Sequence, residues 1–290
     1  LPDNIQTSPA NDLHDSQLST VNLTSLSKSY CRQRCAYYLC AFMSQFPHDT
    51  IKPFSDEGGK KQQVSQMFDT IAGRYDFMNR FLSLGIDVSW RKKAIQRFLK
   101  DRPQHLLDVA TGTADMALMA SKLLQPQKIT GIDISEGMLA IGREKVAKEK
   151  SNTQIELQLA DSETIPFQTA TFDGAMVAFG VRNFEHLEKG LAEINRVLQP
   201  GAQLVVLEFS KPVMPLFKQF YTLYMTVIAP QIAGLFKTNK QAYQYLNKSA
   251  HAFPDRERFV RIMQGAGFEQ TSFKPLTLGI CCIYSGRKKK

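Results

Sequence analysis

From Pro103 onward the chain alternates short apolar runs with segments of helical spacing, and this alternation restricts the fold more than any other feature. "HLLDVA", "KITGID", "IELQLA", "FDGAMVAF" and "AQLVVLEF" are the runs; "DMALMASKLL", "SEGMLAIGREKVAKE" and "LEKGLAEINRVL" are the helical segments between them. Strands joined by crossover helices predict a parallel, doubly wound α/β sheet with helices on both faces. Five strands arise this way. A further helix, "DRERFVRIMQGAG", and two last runs, "EQTSFKPL" and "GICCIYSG", predict a terminal hairpin and seven strands in all.

Upstream, Val64, Met67, Phe68 and Ile71 recur at helical spacing, so an amphipathic helix opens the folded region near Gly59. It leads through "GRYDFMNRFLSLGID" into a second helix, "SWRKKAIQRFL", which Ser89 is placed to cap. The expected organisation is a helical cap over 59–102 and a core sheet over 103–290, together one domain from 43 to 290. Residues 1–42 are rich in Ser, Thr, Asn and Asp without an apolar period, and read as disorder or a non-native leader. Met43 is the first methionine, and the expectation is that the natural product starts there.

Charge and cysteine content narrow the class. The formal net charge is +9, yet no Lys/Arg run interleaved with aromatics occurs apart from the terminal "GRKKK", so a nucleic-acid partner is not expected. A solvated basic surface is the plain reading, with attraction to anionic lipid behind it. Cysteines 31, 35, 40, 281 and 282 form no CxxC pair and have no His at ligand spacing, which argues against a metal site and fits a reducing, cytoplasmic setting. The most apolar window, Val213 to Phe236, holds Lys218, Gln219 and Gln231 and is broken by Pro215 and Pro230, so it fails as a membrane helix.

Ligands of open α/β sheets bind beyond the carboxyl ends of the strands. There stand Asp108 and Gly112 in "DVATGTAD", with Thr113 and Ala114 small enough for a ligand to approach the backbone. Asp133 follows the second strand, suited to ribose hydroxyls or to capping the next helix. Asp161 and Ser162 follow the third and can meet an adenine amino group or simply form a turn. Taken with "IPFQTATFD" and "VLQPGA", these strand ends resemble the class I methyltransferases that use S-adenosyl-L-methionine. The usual three alternating glycines are here Ala110, Gly112 and Ala114.

"MFDTIAGRYDFMNRFLSLGIDVSWRKKAI", "FGVRNF" and "LEFSKP" narrow the resemblance to the quinone-biosynthesis C-methyltransferases, from about Ile51 to the end. It implies a seven-stranded, Rossmann-like methyltransferase sheet and methylation of a prenylated quinol. Demethylmenaquinol is the first expected substrate, with the polyprenyl-methoxybenzoquinol of ubiquinone synthesis or another small molecule as alternatives. Cofactor positions carried over are Asp108, Gly112, Thr113, Asp133, Asp161, Ser162 and Ala178, the last standing where serine is often found. Peripheral membrane contact and a homodimer belong to the same expectation.

Ring-carbon methylation needs a phenolate, and a phenol with a pKa of about 10 ionises at neutral pH only where the site favours the anion. Arg182 is expected to stabilise that charge, and Asn183 to hold the substrate oxygen or a water. Their structural alternative is a salt bridge and a helix N-cap. Tyr75, placed after the amphipathic helix, contacts cofactor or ring hydroxyl, or packs in the core. His186 and His251 are the other bases near neutrality, and Glu208 faces substrate or pairs with a basic neighbour. The apolar stretch 213–236 would accommodate an isoprenoid tail. A nicotinamide-dependent oxidoreductase is disfavoured by the missing GxGxxG, and a scaffold subunit would show a ruined cofactor loop.

Overall fold

The computed structural model describes residues 46–54, 57–212, 219 and 240–290, which lie in the compact unit Gln45–Lys290. The leader 1–42 and the apolar stretch 213–236, apart from Gln219, lie outside the described residues. Helix α1 (Lys60–Leu82) and α2 (Ile86–Ile95) precede the sheet. Then come β1 (His105–Val109), α3 (Asp115–Leu124), β2 (Lys128–Asp133), α4 (Glu136–Lys148), β3 (Gln154–Leu159) and β4 (Phe172–Ala178). A 3-10 turn (Val181–Asn183) leads into α5 (Leu187–Val197) and β5 (Leu198–Phe209). Helices α6 (Lys240–Ala252) and α7 (Glu257–Gly265) precede β6 (Phe268–Leu276) and β7 (Cys281–Lys288).

The seven strands run in the order β3-β2-β1-β4-β5-β7-β6. Pairings among β1 to β5 are parallel, and β7 pairs antiparallel with both β5 and β6. The expected hairpin is present, inserted so that β7 lies against β5 and β6 forms the edge. Order reverses between β1 and β4, which opens a crevice at their carboxyl ends. The buried runs of β1, β4 and β5 carry Leu107, Val109, Ala175, Val177, Leu204 and Val206 into one core layer, as covering helices on both faces require.

Helix α1 buries the face its spacing foretold. Val64 and Met67 are almost fully enclosed against Ala242 and Tyr245 of α6, and each such side chain contributes about 1.5–3 kcal/mol. Asp69 fastens α1 to the start of α4: its Oδ1 accepts from Ser135 Oγ at 2.6 Å and from Gly137 N at 2.8 Å. Carboxylate at a helix N-terminus is favourable there.

Two local expectations are corrected. Helix α1 continues through Gly73 and Tyr75 to Leu82, because no proline or other breaker interrupts it, so Tyr75 lies within the helix rather than after it. Ser89 sits inside α2 and caps nothing; Gly85, with φ 76°, turns the chain, and the helix begins at Ile86.

Candidate functional site

An open cleft lies at the carboxyl end of the sheet. Among its lining residues are Gly112, Asp133, Asp161, Ser162, Ala178 and Asn183, with Phe68 and Tyr75 of α1 on the far side. The structure thus brings together four strand ends and one helix that are far apart in sequence.

The loop after β1 makes the first wall. Ala110, Gly112 and Ala114 have φ of 53°, 59° and 65°, so all three alternating positions are left-handed although two carry a methyl. An L-residue pays roughly 1–2 kcal/mol for that conformation, which is strain held by the surroundings. Asp133 provides part of that hold, accepting from Gly112 N at 2.8 Å and from Ser135 N at 2.9 Å. Burial raises the Asp133 carboxyl to about 6, against the lowering effect of those backbone donors.

Not every expected position reaches the cleft. Asp108 lies buried behind the loop, accepting from Thr111 Oγ1 at 2.6 Å, and burial pushes its carboxyl up to about 7. Thr113 is also buried, and its hydroxyl donates to Asp76 of α1 at 2.6 Å while Lys145 donates to it at 3.0 Å. These two residues fix the loop rather than line the cleft. Asp161 does line it and is paired with Lys61 at 2.5 Å.

Beyond β4 the backbone turns sharply. Phe179 has φ 60°, and a Cβ on Gly180 would come within 2.5 Å of Ala110 Cβ, so the two loops touch only because residue 180 is glycine. The turn Val181–Asn183 is held from several sides. Buried Lys60 donates through Nζ to the carbonyls of Phe184 at 2.8 Å and Arg182 at 3.4 Å, and burial lowers its ammonium to about 8. Glu163 accepts from the amides of Glu185 and His186 at 2.9 Å each.

Arg182 points inward, 3% exposed, and pairs with fully buried Glu208 at 2.8 Å. Its Nη1 also donates to Phe179 O at 2.6 Å, whereas its Nε has no hydrogen-bond partner among the described residues. An unpaired buried donor of this kind is costly and calls for an explanation. Asn183 does not cap α5; His186 occupies that position. His251 bonds Asn247 O from the exposed face of α6.

A second, mostly apolar pocket of about 600 Å³ lies between α1 and α6, lined by Met67, Ile71, Met78, Tyr245 and Leu246 together with Arg182. Phe68 and Tyr75 line both spaces, their rings edge to face at 5.8 Å. They form the common wall. Sequence reasoning missed Tyr245, whose hydroxyl donates to Asn183 Oδ1 at 3.1 Å, and Lys60; only the three-residue step from Ala242 to Tyr245 hinted at an inward face. Among the described residues no group of three or more His, Cys, Asp or Glu could hold a metal ion.

A demethylmenaquinone methyltransferase of Bacteroides fragilis is 46% identical over 243 residues, covering 84% of this chain and 99% of its own. The ubiquinone/menaquinone biosynthesis C-methyltransferase UbiE of Geotalea daltonii is 45% identical over 230 residues, 79% of this chain and 97% of its own. In fold the chain is similar to a SAM-dependent methyltransferase from Thermotoga maritima, with TM-score 0.55, 19% identity, and coverage of 78% and 100%. The family model of the ubiE/COQ5 methyltransferases matches residues 57–288, and with that match over most of its length the chain belongs to the ubiE/COQ5 methyltransferase family.

Proposed function

We propose that the protein transfers the methyl group of S-adenosyl-L-methionine to a ring carbon of a prenylated quinol, demethylmenaquinol first. The observation that carries this reading is Arg182, a buried guanidinium that lines an apolar pocket sharing Phe68 and Tyr75 with the strand-end cleft. The name of the Bacteroides fragilis relative supports the choice of acceptor. The Geotalea daltonii name, which covers both quinones, keeps the ubiquinone precursor as the second acceptor.

The cleft residues fit the donor. In this reading Asp133 accepts from the ribose hydroxyls and Asp161 with Ser162 meets the adenine amino group, and their shared place on the cleft wall supports it. Val64, Phe68, Ile134 and Met138 supply apolar cover. Bound there, S-adenosyl-L-methionine supplies a sulfonium-activated methyl group. Asp108 and Thr113 act in this reading by holding the loop of Gly112, and Ala178 leaves room at the end of β4.

The chain's own task is to make the ring carbon nucleophilic. In the apolar pocket a phenolate is favoured only by a fixed donor or cation nearby, and Arg182 is both. The guanidinium is assigned to stabilise the quinol oxygen as its proton passes to a water. The ring carbon then takes the methyl as the carbon–sulfur bond breaks to leave the thioether, and the hydrogen displaced from that carbon goes to the quinolate oxygen, restoring the aromatic quinol. Glu208 keeps the guanidinium oriented and tempers its charge. Asn183 holds the reacting edge from the cleft side, and Tyr75, which borders both spaces, contacts the methionine end of the donor or the ring hydroxyl.

Prenylated quinols reside in bilayers, so peripheral membrane contact belongs to this reading, supported by the net charge of +9 and exposed Leu84, Ile86 and Val88. Among the described residues no helix is long and apolar enough to cross a membrane. The test is to incubate the protein with methyl-labelled S-adenosyl-L-methionine and demethylmenaquinone, oxidised or chemically reduced. Label should enter the extracted quinone only from the reduced form. Equal transfer to the oxidised form, or none to any prenylated quinol, would overturn the proposal.

A further inference from the structure

Tyr245 of α6 lines the apolar pocket but not the cleft, while its hydrogen-bond partner Asn183 lines the cleft but not the apolar pocket. Their 3.1 Å bond therefore passes between the two spaces, beside the wall of Phe68 and Tyr75. The ring of Tyr245 is packed against Val64 and Met67 and is 3% exposed.

Asn183 has one amide orientation that satisfies its neighbours. Its Nδ2 faces the carbonyl of Phe179 at 3.4 Å, and a carbonyl only accepts, so the atom there must be nitrogen. Oδ1 then faces Tyr245, which must donate. Burial raises the Tyr245 phenol above its ordinary value, so it keeps that proton throughout the neutral range. Without the hydroxyl, the side-chain amide would be left with one long contact to Phe179, and rotation would become easy. The second hydrogen on Nδ2 has no partner among the described residues and is available to an oxygen at the cleft.

We propose that Tyr245 is a positioning residue for methyl transfer: its hydroxyl locks the Asn183 amide from the acceptor side, so that Nδ2 is presented to the donor side in one orientation. The role rests on the proposed methyl transfer for its consequence, and on the hydrogen-bond geometry for its existence. Tyr245 contacts no reacting atom and acts through Asn183.

Two measurements test it. In Tyr245→Phe, which keeps the ring and removes the hydroxyl, kcat should fall about tenfold while KM for both substrates stays within twofold. In an Asn183→Ala background the same change should lower kcat less than twofold, because the residue it acts through is gone. Equal losses in both backgrounds would overturn the proposal. Independently of any acceptor, the Asn183 side-chain amide protons in asparagine-labelled protein with S-adenosylhomocysteine should give one sharp pair by NMR. That pair should broaden or shift in Tyr245→Phe, and an unchanged pair would also overturn it. Absence of label transfer by the unmodified protein would remove the quinol reading alone and leave the amide measurement to decide the lock.

Discussion

Glu208→Gln isolates the charge of the buried pair while preserving its shape. Glu208 Oε1 accepts from Arg182 Nη1 at 2.8 Å and from Phe209 N at 2.9 Å, and glutamine offers a neutral oxygen in the same place. Removing one partner of a buried ion pair typically costs about 3–5 kcal/mol, because the other charge is left uncompensated. With the hydrogen bonds largely retained, about 2–3 kcal/mol is expected here. At roughly 2–4 °C per kcal/mol for a domain of this size, melting should drop by about 4–12 °C. Urea unfolding at pH 7 checks the first figure through a lower midpoint at constant slope. The uncompensated Arg182 should also favour quinolate more strongly, so the acid limb of the pH–rate profile should move to lower pH. Replacing the pair together, by Arg182→Met with Glu208→Leu, should restore most of the stability and abolish turnover. A Glu208→Gln protein as stable as the parent, within 0.5 kcal/mol or about that, would refute the account of a desolvated pair.

Other consequences follow from the cleft. Asp133→Ala should weaken S-adenosylhomocysteine binding by roughly 10- to 100-fold in calorimetry, since charged acceptors contribute about 1.5–3 kcal/mol; in the parent, affinity should fall below pH 6 as this carboxyl, raised to about 6, takes a proton. The Asp108 carboxyl, raised to about 7, favours the folded state when protonated, so its contribution is lost as pH rises from about 4 to 7. Asp108→Asn should flatten that decline, gaining up to about 4 kcal/mol over the parent between those limits in urea titrations, and a pH-independent difference would contradict the assignment. Gly180→Ala should cost about 1–3 kcal/mol by crowding Ala110, and Ala110→Gly should recover part of it because glycine accepts the φ of 53° there.

The sheet was legible because its signals are local. Apolar runs of strand length, separated by helical periods, give both the parallel core and the reversal of order that opens the cleft. Strand-end carboxylates could be read from position alone, and Asp133 and Asp161 do line the cleft. Position did not reveal that Asp108 and Thr113 turn away, since that depends on partners such as Asp76 on α1. Boundaries failed where one strong residue competed with context. Ser89 has the chemistry of a cap, but a left-handed Gly85 four residues earlier had already started the helix. Lys60 and Tyr245 were invisible because their partners, Phe184 and Asn183, lie 124 and 62 residues away. A buried lysine leaves no pattern in sequence: nothing local distinguishes it from the solvated lysines beside it.

In the proposed reaction the Arg182 guanidinium acts on the acceptor in its transition state and not on donor binding. Single-turnover methyl transfer to reduced demethylmenaquinone, with donor and acceptor both saturating, tests this most directly in Arg182→Ala. The rate should fall by about 100- to 1,000-fold, as for loss of one oriented electrostatic donor, with S-adenosylhomocysteine affinity unchanged. A variant that transfers its methyl at the parent rate would contradict the claim.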